Sequence, residues 1–300
     1  MFSVIKHYKF WFVFSGFLTA GALVLLFSWG LKPGIDFRGG TLSDIEFENP
    51  APATAIQEKL NEAGINNPII QPISDKKYIV KTEPLSDEEL ASFRETLQKI
   101  GSYKEHSFES IGPTIGRELV RKAYWQIILV CLGIILYIAY SFRNIASDTK
   151  NSRISSWRMG ASAILALLHD LSITVGLFAV LGHYYGVDID SLFITALLTI
   201  LGFSVHDTIV VFDRIRENLK TYPYKSLGTI IDYSINSTLA RSINTSSTLI
   251  FVLIAMLLFG GQSIYYFVLT LLVGVAVGTY SSIFIASPIL YVWSRGGKKK

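Results

Sequence analysis

The chain has 300 residues, 50% of them hydrophobic and only 17% charged, and carries a net charge of +4. A soluble domain of this size carries nearer a quarter charged residues, so the average conceals apolar segments beside one stretch of ordinary soluble composition. The basic residues border apolar runs instead of covering one soluble face, which excludes nucleic acid as an expected partner, and the single Cys131 excludes an intrachain disulfide and a CxxC metal site.

About 20 apolar residues are needed to cross a bilayer core. The first such run, residues 10–31, follows Lys6 and Lys9. Ala20-Gly21-Ala22 imitates a signal-peptidase site, but the apolar character continues to Leu31, so an uncleaved anchor is expected. Residues 1–31 are thus read as N-terminus and first span, residues 32–121 as a domain outside the membrane, and residues 122–300 as a five-helix region.

The domain begins at Gly34-Ile35-Asp36-Phe37-Arg38-Gly39-Gly40, where paired glycines permit a tight turn as the chain leaves the membrane. Residues 41–48 alternate, with Leu42, Ile45 and Phe47, and read as a strand. Residues 52–63 place Ile56, Leu60 and Ala63 on one helical face, ended by Gly64. Two strands, residues 69–73 and 78–82, flank a Ser74-Asp75-Lys76 turn. A helix over residues 86–100 is announced by the Ser86/Glu89 capping box and by Leu90, Phe93 and Leu97, and residues 103–111 supply a last strand. The order β-α-β-β-α-β predicts a small α+β ferredoxin-like fold. It holds no nucleophile–base set and no phosphate loop, so binding or coupling is expected of it, and the protein is not expected to be an enzyme.

Five further spans follow, at about residues 122–142, 159–182, 189–212, 242–260 and 264–293, the last with Gly274 and Gly278 spaced for close helix packing. Lys and Arg sort cleanly. They occur at the N-terminus (Lys6, Lys9), in the second-to-third connection (Arg143, Lys150, Arg153, Arg158), in the fourth-to-fifth connection (Arg214, Arg216, Lys220, Lys225, Arg241) and at the C-terminus (Arg295, Lys298, Lys299, Lys300). The connections at residues 183–190 and 260–264 have none. Both termini are therefore expected in the cytoplasm and the domain outside.

Ionisable groups within spans each need an explanation. Asp170, beside His169, falls near the middle of the third span. Asp207 lies two turns from Arg214 on the fourth, and Arg241 opens a stripe with Asn244, Thr245 and Thr248 on the fifth. Ser162, Ala166, His169 and Ser172 share a face of the third. Lipid cannot satisfy such faces, so they are expected to meet one another or water, with Asp207 and Arg241 in contact or sharing water. A carboxylate there feels opposing pulls, from desolvation and from a nearby arginine, and can load and release a proton. The bland readings are a static Asp207–Arg241 ion pair fixing register and an interior, hydrogen-bonded His169. Metal ligation is not expected, because neighbours on a helix point about 100° apart.

Residues 201–218, LGFSVHDTIVVFDRIREN, resemble the signature of the SecF family of protein-export membrane subunits. Gly34 to Gly40 resembles the glycine motif shared by SecF and SecD, and Ala166-Leu167-Leu168-His169-Asp170 and Arg241-Ser242-Ile243-Asn244-Thr245-Ser246 fit as well. The resemblance covers the whole chain. It implies a six-helix bundle of the RND-like superfamily in a bacterial inner membrane and pairing with SecD beside the SecYEG channel. It further implies use of the proton-motive force to help exported polypeptide outward, without cofactor or metal. The family's transmembrane Asp and Arg map onto Asp207 and Arg241, and its next Asp onto Asp213; Arg214, His169 and Asp170 complete the candidate coupling set, with Gly34, Asp36, Gly39 and Gly40 as the structural motif. A further carboxylate of the family lies on SecD, so this chain holds part of the proton path. The alternatives are half of an RND-type exporter of lipids or small molecules, and a scaffold without proton-linked motion.

Overall fold

The computed structural model describes residues 3–141 and 154–295. Arg143, Lys150 and Arg153 of the second connection and Lys298, Lys299 and Lys300 at the C-terminus, used above for orientation, lie outside the described residues. The described residues form two compact units, Pro33–Trp125 and, from both ends of the chain, Met1–Lys32 with Gln126–Lys300.

The smaller unit is a four-stranded antiparallel sheet with two helices. Strands β1 (Gly40–Phe47), β2 (Ile69–Pro72), β3 (Lys77–Thr82) and β4 (Tyr103–Ile111) lie in the order β2-β3-β1-β4. Helices Ala53–Glu62 and Asp87–Ile100 make the two crossovers, which gives the ferredoxin-like arrangement. Ile45 and Phe47 of β1, Tyr78 and Val80 of β3, Ile56 and Leu60 of the first helix, and Phe93 and Leu97 of the second form its core. Leu42 does not belong to it. Successive strand residues alternate faces, so Leu42 shares the face opposite Ile45 and Phe47, and Thr41 and Ser43 occupy the buried positions instead. The capping box forms as expected: Ser86 N–H donates to Glu89 Oε2 at 2.8 Å, and Glu89 N–H donates to Ser86 Oγ at 3.3 Å. The backbone bond from Ser86, reinforced by its hydroxyl, holds the Glu89 carboxyl below the usual range.

The glycine motif is a turn of unusual backbone. Gly34 precedes a single helical turn, Ile35–Arg38, and accepts from the N–H groups of Phe37 and Arg38. Gly39 and Gly40 follow with φ of 82° and 149°, where only glycine is unstrained. A Cβ on Gly40 would stand 2.8 Å from the Thr82 carbonyl oxygen, and one on Gly39 3.0 Å from the Pro113 backbone. Asp36 sits within the helical turn.

Among the described residues six helices are long and apolar enough to cross a membrane: Ile5–Trp29, Pro113–Ile138, Ser156–Tyr185, Ser191–Thr221, Leu227–Phe259 and Tyr265–Arg295. The third, fourth and sixth are the buried ones; the first, second and fifth present most of their surface outward. Close approach is built from small residues. A Cβ on Gly176 of the third span would strike Ala22 of the first, and a Cβ on Gly274 of the sixth would strike Ile200 of the fourth. The sixth span contains a π-helical turn, Ser282–Ala286, just before Pro288. Proline removes a helix donor, and the Ser287 hydroxyl donates to the Ser282 carbonyl five residues back at 3.2 Å. At the N-terminus, Asp232 of the fifth helix accepts from Ser3 Oγ at 2.6 Å and from Ile5 N–H at 2.9 Å.

The helices outrun the apolar runs. The fourth continues to Thr221 and the fifth begins at Leu227, well before residue 242. A 31-residue helix is about 46 Å long against a hydrocarbon core of about 30 Å. Hydropathy marks only the part lipid touches; the rest is an antiparallel hairpin sealed by its own packing of Phe212, Ile215, Ile231 and Ile235. The second helix likewise starts at Pro113, a favoured first helical position, ahead of the run at residue 122.

The strained turn makes a stability prediction. Gly40→Ala meets both an unfavourable φ and backbone oxygen, and is expected to cost about 3 kcal/mol or more. Gly64, at φ 84° with open space around it, is the control, and Gly64→Ala is expected to cost about 1 kcal/mol. Thermal unfolding of the full chain in detergent ranks the two; equal melting temperatures would remove the crowding argument.

Candidate functional site

Two buried carboxylates organise the membrane helices. Asp170, 1% exposed, lies about midway along the 30-residue third span. It accepts from Ser204 Oγ of the fourth span at 2.6 Å and from Ser281 Oγ of the sixth at 2.7 Å, and His169 Nδ1 stands 2.9 Å from its other oxygen. Three helices thus converge on one side chain. A carboxylate in an apolar interior is tolerable only with such donors, and the small residues Gly278 and Ser204 let the fourth and sixth helices approach closely enough to supply them. His169 is 7% exposed, and its Nε2 is buried without a partner among the described residues. It is an interior histidine whose bonding ends at Asp170.

Asp207, 2% exposed, lies one helical turn beyond Ser204 on the fourth span. Its surroundings differ. Ser246 Oγ of the fifth span is 3.5 Å from its Oδ2 and 2.6 Å from Thr279 Oγ1 of the sixth span, and His206 Nδ1 is 4.0 Å from Asp207 on a ring that faces outward. No lysine or arginine contacts it among the described residues.

The expected Asp207–Arg241 contact is not made. The hairpin register explains why. Asn218 Nδ2 donates to Ser234 Oγ at 2.8 Å, Arg214 Nε donates to Ser237 Oγ at 3.1 Å, and Asp207 meets Ser246. In that register Arg241 comes level with Val210 to Asp213. It falls five residues, about 7 to 8 Å along the axis, short of Ser246. Arg241 is exposed, and with Tyr137, Ser141, Ile209, Val210, Asp213 and Arg216 it lines an open cavity of about 380 Å³. Asp213 is exposed and lies 3.7 Å from Arg216. Arg214 turns away from Asp207 to Glu217, at 2.5 Å, and to Ser237.

The polar stripe of the fifth span also faces otherwise than expected. Arg241, Asn244, Thr245 and Thr248 are all exposed, whereas Thr238, Ser242 and Ser246, one position round the helix, are buried. The third-span face is placed as expected for Ser162, Ala166 and His169; Ser172 is only partly covered and bonds its own helix at Leu168. The residues missed by the sequence reading are the hydroxyls Ser204, Ser246, Thr279 and Ser281. The available signal was the i, i+4 spacing of Ser242 and Ser246, small polar residues suited to close helix contact.

Among the described residues no three His, Cys, Asp or Glu side chains gather where they could hold a metal ion. The arrangement offers one fully bonded carboxylate joining three helices, one loosely bonded carboxylate beside it, and a charged, open cavity one to two turns further along.

Residues 92–296 match the C-terminal family of protein export membrane proteins SecD/SecF, and residues 24–51 match the SecD/SecF GG motif. The chain is 42% identical to the protein translocase subunit SecF of Thermobaculum terrenum, over 96% of its own length and 92% of that protein's. It is 36% identical to that of Synechocystis, over 95% and 91%. Among solved structures it resembles SecDF, a translocon-associated membrane protein from Thermus thermophilus, with TM-score 0.84 and 33% identity. The match covers 98% of this chain and 39% of the SecDF chain, so this chain spans well under half of that protein. SecDF in a super-membrane-facing form matches with TM-score 0.70 and 32% identity.

The Asp170 joint sets a measurable expectation. Asp170→Ala strips partners from two buried hydroxyls and an imidazole, and is expected to cost about 3 kcal/mol or more. Asp170→Asn keeps one acceptor oxygen and should recover part of that. Denaturation in detergent measures both; an Asp170→Ala protein as stable as the parent would show that the three helices do not depend on this side chain.

Proposed function

This chain belongs to the SecD/SecF family of protein-export membrane proteins, and from that premise we propose how its buried carboxylates act in export. It is a multi-pass bacterial membrane protein and the SecF subunit of the accessory complex of the Sec translocase. Its match along nearly the whole length of SecF subunits, with one small outer domain, leaves no support for the exporter alternative.

Asp207 carries the proton that couples the proton-motive force to export. The observation that bears this reading is a carboxylate buried in the spans with no lysine or arginine in contact and only long or shared hydroxyl bonds. A static ion pair fixing register would hold Arg241 against Asp207, and it does not. Arg241, Asp213 and Arg216 line the open cavity on the side of the basic connections; the Asp213 carboxylate takes up the proton there as it leaves, since a guanidinium has no site for it. Asp170, with its three short bonds, keeps the helices in register. The subunit moves polypeptide and protons and makes or breaks no covalent bond in them.

Both termini and the residues 222–226 turn lie in the cytoplasm, and the Pro33–Trp125 domain lies outside. SecD covers the exposed stripe of Arg241, Asn244, Thr245 and Thr248, because hydrocarbon cannot solvate a guanidinium or an amide. The SecYEG channel and the emerging polypeptide are the remaining partners.

Two experiments test these statements. In proteoliposomes holding the complex, Asp207→Asn keeps the shape but cannot titrate. It is expected to assemble normally and lose the gradient-driven gain in export, and Arg241→Met to lose most of it. A gain that survives in Asp207→Asn would return the residue to a structural role. For topology, cysteines replacing Lys76 and Tyr224, the latter fully exposed, are probed in intact cells with an impermeant thiol reagent. Labelling is expected at position 76 alone, and labelling at 224 alone would invert the assignment.

A further inference from the structure

Asp207 and Asp170 each meet hydroxyls of neighbouring spans, yet the hydroxyls are committed differently. At Asp170 the carboxylate is the nearest acceptor: Ser281 Oγ stands 2.7 Å from it and 3.1 Å from the Gly278 carbonyl. At Asp207 the order is reversed. Ser246 Oγ lies 2.6 Å from Thr279 Oγ1, 2.9 Å from the Ser242 carbonyl and 3.5 Å from the carboxylate. Thr279 Oγ1 lies 2.9 Å from the Val275 carbonyl and reaches Asp207 through Ser246. Two hydroxyl protons therefore face two helix carbonyls, one carboxylate and each other.

Those carbonyls do not need the hydroxyls. Each sits inside a helix and already accepts its N–H from four residues on. A serine or threonine bonding back to such a carbonyl makes a second bond that can be given up without orphaning it. Both hydroxyls can consequently turn away from their carbonyls at little cost.

We infer that Ser246 and Thr279 form a two-hydroxyl switch that satisfies Asp207 whether or not it carries a proton. With Asp207 ionised, Ser246 turns its proton to the carboxylate and Thr279 donates to Ser246. When a proton arrives on the carboxyl oxygen, the new O–H donates to Ser246, and the protons of Ser246 and Thr279 turn back to the Ser242 and Val275 carbonyls. One O–H bond forms or breaks, only the hydroxyl torsions change, and no buried polar group is left unpaired in either state. The groups facing Asp207 are His206 on its own helix, Ser246 on the fifth and, through Ser246, Thr279 on the sixth; Asp170 on the third span binds the same fourth and sixth helices one turn away, and Arg241 faces outward. Ser246 and Thr279 are positioning residues, and the inference rests on the reading of Asp207 as the proton carrier.

The test uses the whole complex in proteoliposomes, with export measured with and without a proton gradient. A hydrogen bond to a charged group is worth roughly tenfold or more. Ser246→Ala with Thr279→Val together is expected to cut the gradient-driven gain at least about tenfold. Thr279→Ser, which keeps the hydroxyl and loses the methyl, is expected to retain the gain that Thr279→Val loses in part. If the double variant fails to assemble, the single variants decide, and an unchanged gain in both overturns the switch. A Thr279→Ser protein as defective as Thr279→Val also overturns it, since packing would then be the cause. Asp207→Asn is run beside them. If it loses the gain while the double variant keeps it, the switch alone is wrong; if it keeps the gain, the proton reading fails and the switch falls with it.

Discussion

A carboxylate in an apolar interior must be given hydrogen-bond donors, and the interior of this bundle is arranged around that need. Asp170 draws a hydroxyl from each of two neighbouring helices, which fixes how closely the third, fourth and sixth spans meet. That closeness requires Gly278 against Ser204 and Gly274 against Ile200. The small residues, the hydroxyls and the carboxylate are therefore one requirement seen three times. Apolar packing alone is a weak guide between helices already surrounded by apolar lipid, so the polar joint supplies the specificity of register.

The second carboxylate differs in commitment, not in burial. Asp170 and Asp207 are equally inaccessible, and both lie on helices at the centre of the bundle. One has short bonds from donors with no closer acceptor. The other shares donors whose nearer partners are elsewhere. A rigid joint and an adaptable site one turn apart on the same helix pair give the bundle a fixed reference beside a group that can change state. The π-helical turn at Ser282–Ala286 follows directly after Ser281, which bonds Asp170, and Thr279, which bonds the Ser246 beside Asp207. Such turns interrupt the regular i to i+4 ladder and recur at functional sites.

Much of this was legible in the sequence because it rests on local rules. Six apolar runs, the βαββαβ order and the Ser86–Glu89 capping box follow from length, period and spacing, and the structure has all three. Leu42 misled because a strand's faces alternate strictly, and it differs in parity from Ile45 and Phe47. The Asp207–Arg241 contact misled for a different reason. Chain distance from the turn at residues 222–226 does not set the register of a helical hairpin. Asp207 and Arg241 are equally far from it, yet Asn218 meets Ser234, Arg214 meets Ser237 and Asp207 meets Ser246, so the arms are staggered and Asp207 passes Arg241 by. For the stripe on the fifth span the assumption was that it meets the other polar faces or water; its residues lie exposed, and the buried hydroxyls Ser242 and Ser246 stand one position, 100° of rotation, away.

That assumption points to the incompleteness of the bundle. Thr245 and Thr248 return their hydroxyls to the Arg241 and Asn244 carbonyls of their own helix, at 2.9 and 2.8 Å, and so are bearable against lipid. Arg241 and Asn244 have no such recourse: a guanidinium and an amide carry several donors, and a helix's own carbonyls at that distance cannot absorb them. The described residues satisfy the Asp170 and Asp207 carboxylates internally while leaving a cation and an amide on the outer surface. A protein that had to stand alone in a bilayer would be expected to do the reverse, shielding the arginine first, since a guanidinium cannot shed its charge as a carboxylate can by taking up a proton. On the proposed reading, the exposed arginine marks a surface completed by another chain, while the Asp207 carboxylate stays inside the bundle.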